Sequence, residues 1–233
     1  MTLPPPVTAR LTEGSLREYW LARVRQHTAD SYAGVPLSKF PEDLRTYEHL
    51  LWADRVDTVI EIGTQAGGSA LWFRDRLQAA RRYGRIERAP GVISVDVAQA
   101  SAREHLDRTD PDWARDISLL ERDVRDPETA GTVGALVPEG ARCLVVEDSA
   151  HEYDTTTAAL QGFARFVPAQ GFFVVEDGCV DVDELRLDEA WPRGVLPAVH
   201  DWLATESGRA FRVRRDLELY GVSCHPEGFL QRA

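Results

Sequence analysis

Five short apolar runs follow one another along the chain, and each ends in acidic residues or glycine. They cover residues 58–63, 92–96, 117–123, 143–148 and 171–177. Their brevity, β-branched content and nearly continuous hydrophobicity are typical of strands buried on both faces of a parallel sheet. Helical patterns separate them, so the sequence predicts a doubly wound α/β sheet. Such sheets bind ligands outside the carboxyl ends of their strands, where these acids lie.

The segments before and after this pattern differ from it. Two helical stripes, Leu16-Trp20-Val24 and Tyr47-Leu50-Leu51, predict N-terminal helices around an ordered loop at residues 31–41. We therefore expect a helical extension with a substrate or lid loop at 1–55 and the main domain at 56–233. After a helix carrying Val195 and Val199, the apolar runs 211–213 and 217–222 lie too close together for a crossover helix. They predict a C-terminal antiparallel hairpin on an otherwise parallel sheet.

Composition excludes several classes of partner. The formal net charge of −11 disfavours nucleic acid and anionic membrane surfaces. The proline-rich start is not a signal peptide, and no apolar stretch is long enough to span a membrane. Three widely separated cysteines suggest reduced thiols rather than a disulfide framework. We expect a cytoplasmic protein with a small-molecule substrate.

A glycine-rich turn follows the first predicted strand and opens a helix. It contains Gly63, Gly67 and Ser69, directly after Glu61. Its spacing differs from the G-x-G-x-x-G of dinucleotide folds, which argues against a nicotinamide dehydrogenase; a purely structural turn is the other alternative. Asp96 could accept hydrogen bonds from ribose hydroxyls, and Asp123 from an adenine amino group, although either could instead cap a helix. Glu61 could accept from an amide of the turn or, if the nucleoside carries a methionine part, from the amino group of that part.

The fourth and fifth predicted strands end in further acids. Asp148 and the pair Glu176-Asp177 should meet at one rim of the sheet, where a hard divalent cation would relieve their repulsion. Glu176 and Asp177 can share a cation only if the strand has begun to turn, since neighbouring side chains on a strand face opposite ways. His151 is the candidate general base. The other five histidines lie in helix or tail contexts and are given no role.

These motifs resemble the cephalosporin hydroxylase and rhamnosyl O-methyltransferase family. The resemblance lies in residues 32–43, 61–72, 148–151 and 175–178 and extends over roughly 32–211; macrocin and mycinamicin methyltransferases are more distantly similar. It implies a Rossmann-like class I methyltransferase fold, S-adenosylmethionine (SAM) at the glycine turn, and Mg²⁺ held by Asp148, Glu176 and Asp177, with His151 as base. Lys39 would lie near substrate or the cofactor carboxylate, and family members are commonly homo-oligomers. Ala150 stands where relatives often carry an acid; if that acid helps to bind substrate, the family's substrate identity does not transfer.

The resulting expectation is a metal-dependent O-methyltransferase acting on a small-molecule hydroxyl, with a rhamnose-like deoxysugar of a natural product as the first choice of acceptor. Two alternatives stay open. A hydroxylase component would need two histidines and one carboxylate for non-haem iron, and only one histidine is expected at this rim. A silent SAM-binding scaffold would have no need of the clustered acids.

Overall fold

The computed structural model describes residues 14–221 and 223–233 of the chain. Its strands are β1 (Ser31–Tyr32), β2 (Val35–Pro36), β3 (Thr58–Ile62), β4 (Gly91–Asp96), β5 (Ile117–Glu121), β6 (Cys143–Glu147), β7 (Phe172–Val175), β8 (Phe211–Val213) and β9 (Phe229–Arg232). Its α-helices are α1 (Leu16–His27), α2 (Pro41–Ala53), α3 (Gly68–Arg82), α4 (Ala100–Thr109), α5 (Thr129–Leu136), α6 (Tyr153–Phe163) and α7 (Val195–Leu203). The five apolar runs therefore form β3 to β7, as predicted.

The seven-stranded sheet has the order β5-β4-β3-β6-β7-β9-β8. The strands β3 to β7 pair in parallel, and β9 is antiparallel to both β7 and β8. Chain order reverses between β3 and β6, which creates a topological switch point at the carboxyl ends of these two strands. In open α/β sheets this is where ligands bind.

Successive strand residues pack into two different core layers. Val59 and Leu144 belong to the layer beneath α2, α3 and α4, whereas Ile60 and Val145 belong to the layer beneath α5, α6 and α7. Because side chains alternate across a strand, burial of both faces requires the continuous hydrophobicity seen in the sequence. The sheet is thus enclosed by helices on both sides.

The N-terminal segment lies against the glycine turn. A capping box between Ser15 and Glu18 starts α1, whose Trp20 is buried while Leu16 is exposed. Within the predicted loop, β1 and β2 form a two-stranded antiparallel hairpin. A Cβ atom on Gly68 would lie 2.1 Å from the carbonyl oxygen of Pro36. Only glycine permits this approach, which brings the chain leading to Lys39 over the carboxyl ends of the strands.

The C-terminal hairpin is formed by a different second strand from the one predicted. β8 pairs with β9, and the segment expected to pair with β8 instead contains two 3₁₀ turns, at Arg215–Leu217 and Leu219–Gly221. Tyr220 and Gly221 have positive φ angles, which end any extended conformation. The strand between β7 and β8 must fill both core layers, which fully buried Phe229 and Leu230 do and exposed Tyr220 does not. Val222 lies outside the described residues.

No helix in the described part of the chain combines the length and apolar character that crossing a lipid bilayer requires.

Candidate active site

A cavity of about 680 Å³ opens at the carboxyl ends of β3, β4, β5, β6 and β7. One part is lined by the glycine turn and the ends of β4 and β5, through residues that include Gly63, Ser69, Asp96 and Asp123. Another part is lined by Lys39, Asp148, His151 and Asp177. Three further candidates, Glu61, Gly67 and Glu176, are buried close by without lining the cavity.

Gly63 is the point at which the two parts of the cavity meet. Its φ angle is +100°, and an added Cβ atom would lie 1.8 Å from the carbonyl oxygen of Asp148. The amide of Asp148 also donates to the carbonyl of Ile62 (2.7 Å). The end of β6 is therefore fixed against the glycine turn. Gly67, at φ +84°, is the N-cap of α3 and packs on Leu106.

Asp96 holds the glycine turn in place. Its Oδ2 accepts hydrogen bonds from the backbone N–H groups of Thr64 (2.8 Å) and Gln65 (3.1 Å). Its Oδ1 accepts from the amide of Ala98 (3.2 Å), and Gln99 rather than Asp96 is the N-cap of α4. The carboxylate is half-exposed at the cavity, so it can also face a ligand.

Asp123 pairs with a neighbouring arginine. Its carboxylate accepts from the guanidinium (2.6 Å) and the backbone N–H (2.9 Å) of Arg125. These bonds lower the pKa of Asp123. It forms a local turn ahead of α5, whose N-cap is Glu128, and both Asp123 and Arg125 line the cavity.

Glu61 lies fully buried beneath the turn. Its Oε2 accepts a short hydrogen bond from the hydroxyl of Ser94 (2.5 Å), and its Oε1 has no hydrogen-bond partner among the described residues. Burial raises the pKa of Glu61 to about 7, although the Lys39 ammonium opposes this shift. Glu61 is therefore held under the cofactor end of the cavity without lining it.

Lys39 lies between two of the candidate metal-binding acids. Its Nζ donates to Asp148 Oδ2 (2.8 Å) and to both Glu176 oxygens (2.6 and 2.7 Å), and only 3% of the residue is exposed. Burial alone would lower the pKa of Lys39, but the two carboxylates raise it overall. The repulsion between these acids is thus already partly relieved by an ammonium from the N-terminal segment.

Asp148, His151 and Asp177 offer one donor atom each within 4.8 Å of one another. Asp177 follows the end of β7 in a left-handed conformation (φ +55°), so the strand has turned before it, and His151 shares this conformation (φ +56°). Asp177 Oδ2 lies 3.3 Å from His151 Nε2. Burial would lower the pKa of His151, but Asp177 and Asp148 raise it overall.

Two residues that the sequence analysis did not assign surround Glu176. The hydroxyl of Tyr47 donates to Glu176 Oε1 (2.6 Å). His225, which is buried, accepts the backbone N–H of Asp177 at Nδ1 (3.1 Å), and its Nε2 lies 3.6 Å from both Glu176 and Asp43. Both residues come from distant parts of the chain, and no spacing motif signals them.

The donor set fits a hard divalent cation. Asp148 and Asp177 supply carboxylate oxygens at the cavity wall, and the imidazole of His151 lies beside them, where it can act as the base. Glu176 accepts from Lys39 and Tyr47 and is not part of this three-residue group. Each carboxylate oxygen has two lone pairs, so these hydrogen bonds leave room for ligation, but a cation bound to Glu176 would lie beside the Lys39 ammonium and be repelled by it.

Solved structures of methyltransferases share this fold. A structure of CmcI with Mg-SAM covers 99% of this chain and 89% of its own, with a TM-score of 0.63 and 20% identity. An O-methyltransferase from Bacillus cereus in complex with S-adenosylhomocysteine (SAH) covers 82% of this chain and 80% of its own, with a TM-score of 0.57 and 14% identity. The MycE methyltransferase of the mycinamycin pathway, with Mg and SAH, covers 81% of this chain and 48% of its own, at a TM-score of 0.51 and 16% identity. The predicted class I methyltransferase fold is confirmed.

Sequence comparison gives the family. Curated rhamnosyl O-methyltransferases of Mycobacterium tuberculosis and Mycobacterium bovis are 26% identical to the chain over 155 residues, 66% of this chain. The aligned part spans 59% of those relatives' own length. The profile of the rhamnosyl O-methyltransferase/CmcI family matches residues 24–233. Since that match covers most of the sequence, the chain belongs to the rhamnosyl O-methyltransferase/CmcI family.

Proposed function

We propose that this protein is a SAM-dependent O-methyltransferase that, with a divalent cation such as Mg²⁺, methylates a hydroxyl group of a small molecule. We further propose that the acceptor is a rhamnose-like deoxysugar of a glycosylated natural product. Family membership supports the reaction class. The curated mycobacterial relatives are named for rhamnosyl methylation, and the MycE structure contains Mg and SAH, which supports the acceptor and the cation.

One observation carries the proposal. A single cavity is lined both by the glycine turn with Asp96 and by the group Asp148, His151 and Asp177. A nucleoside cofactor bound at the first part would lie in the same cavity as the acids and the histidine of the second part. Methyl transfer needs this proximity more than any other contribution, because alignment of the reacting atoms supplies much of the rate.

The residues of the chain have distinct roles in this proposal. Bound SAM supplies an activated methyl group, and a divalent cation supplies Lewis-acid stabilisation of the acceptor oxygen. Asp148 and Asp177 would hold the cation, joined by Glu176 if the Lys39 ammonium moves away from it, and Lys39 orients Asp148 and Glu176. When neutral His151 keeps its proton on Nε2 and donates a hydrogen bond to Asp177 Oδ2, Nδ1 carries the lone pair that can take the hydroxyl proton.

Titration calorimetry with SAH, with and without MgCl₂, tests the cofactor, and an activity assay with and without the cation tests the metal. We expect SAH to bind in both conditions. Incubation with SAM and a panel of rhamnosylated metabolites should then give a mass increase of one methyl group, which is lost after chelation with EDTA and restored by MgCl₂. Activity that survives prolonged chelation would exclude a role of the cation in the reaction. Absence of SAH binding would refute the methyltransferase assignment.

The role of His151 is tested by His151→Ala, with His105→Ala as the matched control. His105 lies on α4 outside the cavity lining. Loss of a general base typically costs about 10²- to 10⁴-fold in rate. We expect a loss of this size in kcat for His151→Ala, with SAH affinity within about twofold of the wild type, and no loss for His105→Ala. Full activity of His151→Ala would exclude it as the base.

A further inference from the structure

A second cluster of donor atoms lies beside the acids of the candidate active site. The thiols of Cys179 and Cys224 and a carboxylate oxygen of Asp177 all lie within 4.8 Å of one another. Both cysteines are free, and both line the cavity. Nothing in the proposed methyl transfer uses either thiol.

The backbone fixes the two cysteines as neighbours. Cys179 belongs to the 3₁₀ turn Gly178–Asp181 that directly follows β7, and Cys224 precedes β9. The N–H of Cys179 donates to the carbonyl of Cys224 (3.1 Å), and the N–H of Cys224 donates to the buried carboxylate of Asp43 (3.0 Å). The proximity of the thiols therefore follows from the fold at the junction of β7 and β9 and not from chance side-chain rotamers.

The chemistry of this donor set differs from that of Asp148 and His151. Thiolates prefer soft or borderline cations, whereas Mg²⁺ prefers oxygen ligands and strict octahedral geometry. Zinc binds sulfur at about 2.3 Å, so two sulfurs of a tetrahedral site are roughly 3.8 Å apart. The two thiol sulfurs lie no more than 4.8 Å apart, so their separation needs to shorten by at most about 1 Å to reach this geometry.

We propose that Cys179, Cys224 and Asp177 form a binding site for one soft divalent cation of the zinc class. Asp177 is common to this site and to the group that includes Asp148 and His151. Three protein ligands leave the fourth tetrahedral position open, and the cavity that both cysteines line gives an exogenous ligand access to it.

Cadmium chloride is the probe that tests this site, because thiolate-to-cadmium charge transfer absorbs in the ultraviolet. The full chain is first reduced with a phosphine, and circular dichroism verifies that every variant is folded. We expect the wild type to bind one equivalent with thiolate absorption. Cys179→Ala and Cys224→Ala should each weaken binding by at least about tenfold, because two protein ligands hold zinc-class cations poorly. Cys143→Ala is the matched control, since this third cysteine is buried on β6, and it should bind as the wild type does.

Asp177→Asn separates the carboxylate from the thiolates. It should weaken cadmium binding while leaving the thiolate absorption at saturation unchanged. The proposal is overturned if the reduced, folded wild type shows no thiolate absorption, or if the three alanine variants bind alike. A third result would also overturn it. In that case the reduced protein binds no cadmium, and mass spectrometry then finds that it forms a Cys179–Cys224 disulfide in air. None of these measurements requires methyl transfer, so their outcome is independent of the test of the proposed function.

Discussion

Replacement of Gly63 by alanine tests whether the glycine turn and the end of β6 are held together as the structure indicates. The added Cβ atom would lie 1.8 Å from the carbonyl oxygen of Asp148, and real Cβ contacts essentially never fall below 3.0 Å. The two strand ends must therefore separate by at least about 1.2 Å. This movement strains or breaks the 2.7 Å hydrogen bond from the Asp148 amide to Ile62.

The expected cost has two parts. Forcing an alanine into a positive φ costs about 1–2 kcal/mol, and the steric overlap with loss of one hydrogen bond costs about 2–4 kcal/mol more. Gly84→Ala carries only the first part, because Gly84 also has a positive φ (+70°) but nothing lies within 4 Å of its added Cβ, so the difference between the two variants gives the second part. The change in unfolded-chain entropy is the same for both substitutions.

Urea denaturation followed by circular dichroism measures the difference. We expect Gly63→Ala to have a free energy of unfolding about 2–4 kcal/mol lower than Gly84→Ala, because only the former substitution must open the sheet. Its affinity for SAH should also fall, since the turn that lines the cavity is displaced, while that of Gly84→Ala should not. A difference between the two variants below about 0.5 kcal/mol would refute the close approach of Gly63 to Asp148.

Three further predictions address charges at the site. Lys39→Met removes the ammonium partner of buried Glu176 and of partly buried Asp148, and should lower the free energy of unfolding in EDTA by about 3–5 kcal/mol. MgCl₂ should stabilise this variant more than the wild type in thermal melts, and equal stability of the two proteins in EDTA would contradict the ion pairs. Burial raises the pKa of Glu61 from 4.5 to about 7, so the folded state retains a proton that the unfolded chain releases, and stability should fall as pH rises between these values. Urea denaturation at each pH measures this effect through the difference in free energy of unfolding between Glu61→Gln and the wild type. That difference should increase by about 3 kcal/mol in favour of the variant as pH rises over this range, and parallel pH profiles of the two proteins would exclude the buried proton. Asp96→Asn should weaken SAH binding by about 10- to 100-fold in calorimetry, because it removes charge-assisted acceptance from two amides of the glycine turn; unchanged affinity would count against this role.

The parts of the fold that local patterns encode were predictable. Runs such as 58–63 and 143–148 are hydrophobic because both of their faces are covered, and this property can be read from the sequence without knowing the partner strands. The second strand of the C-terminal hairpin was not predictable in this way. The run 217–222 and the strand Phe229–Arg232 are both short and partly apolar, and only the place between β7 and β8 selects the one that can be buried on both faces.

The site shows the same division. Acids at successive strand ends follow from the parallel sheet, so their gathering around one cavity could be expected from spacing. The ion pairs of Lys39 join residues 109 and 137 positions apart, and the contact of His225 with the Asp177 amide spans 48. Such contacts depend on how the N-terminal segment and the tail pack on the finished sheet, which no short motif records. The domain boundary at residues 55–56 and homo-oligomerisation stay predictions.

The ammonium of Lys39 also determines which cation charge would neutralise the proposed cation site. When Asp148, Glu176 and Asp177 are ionised, they and Lys39 together carry a net charge of −2. A divalent ion cancels this charge, whereas a monovalent ion leaves an excess of one negative charge and a trivalent lanthanide an excess of one positive charge. With a neutral side chain at position 39 the three carboxylates would carry a net charge of −3, which a trivalent ion would cancel. Lys39, which tethers the N-terminal segment to the strand ends, therefore also sets the charge for which a divalent cation is the match at the proposed site.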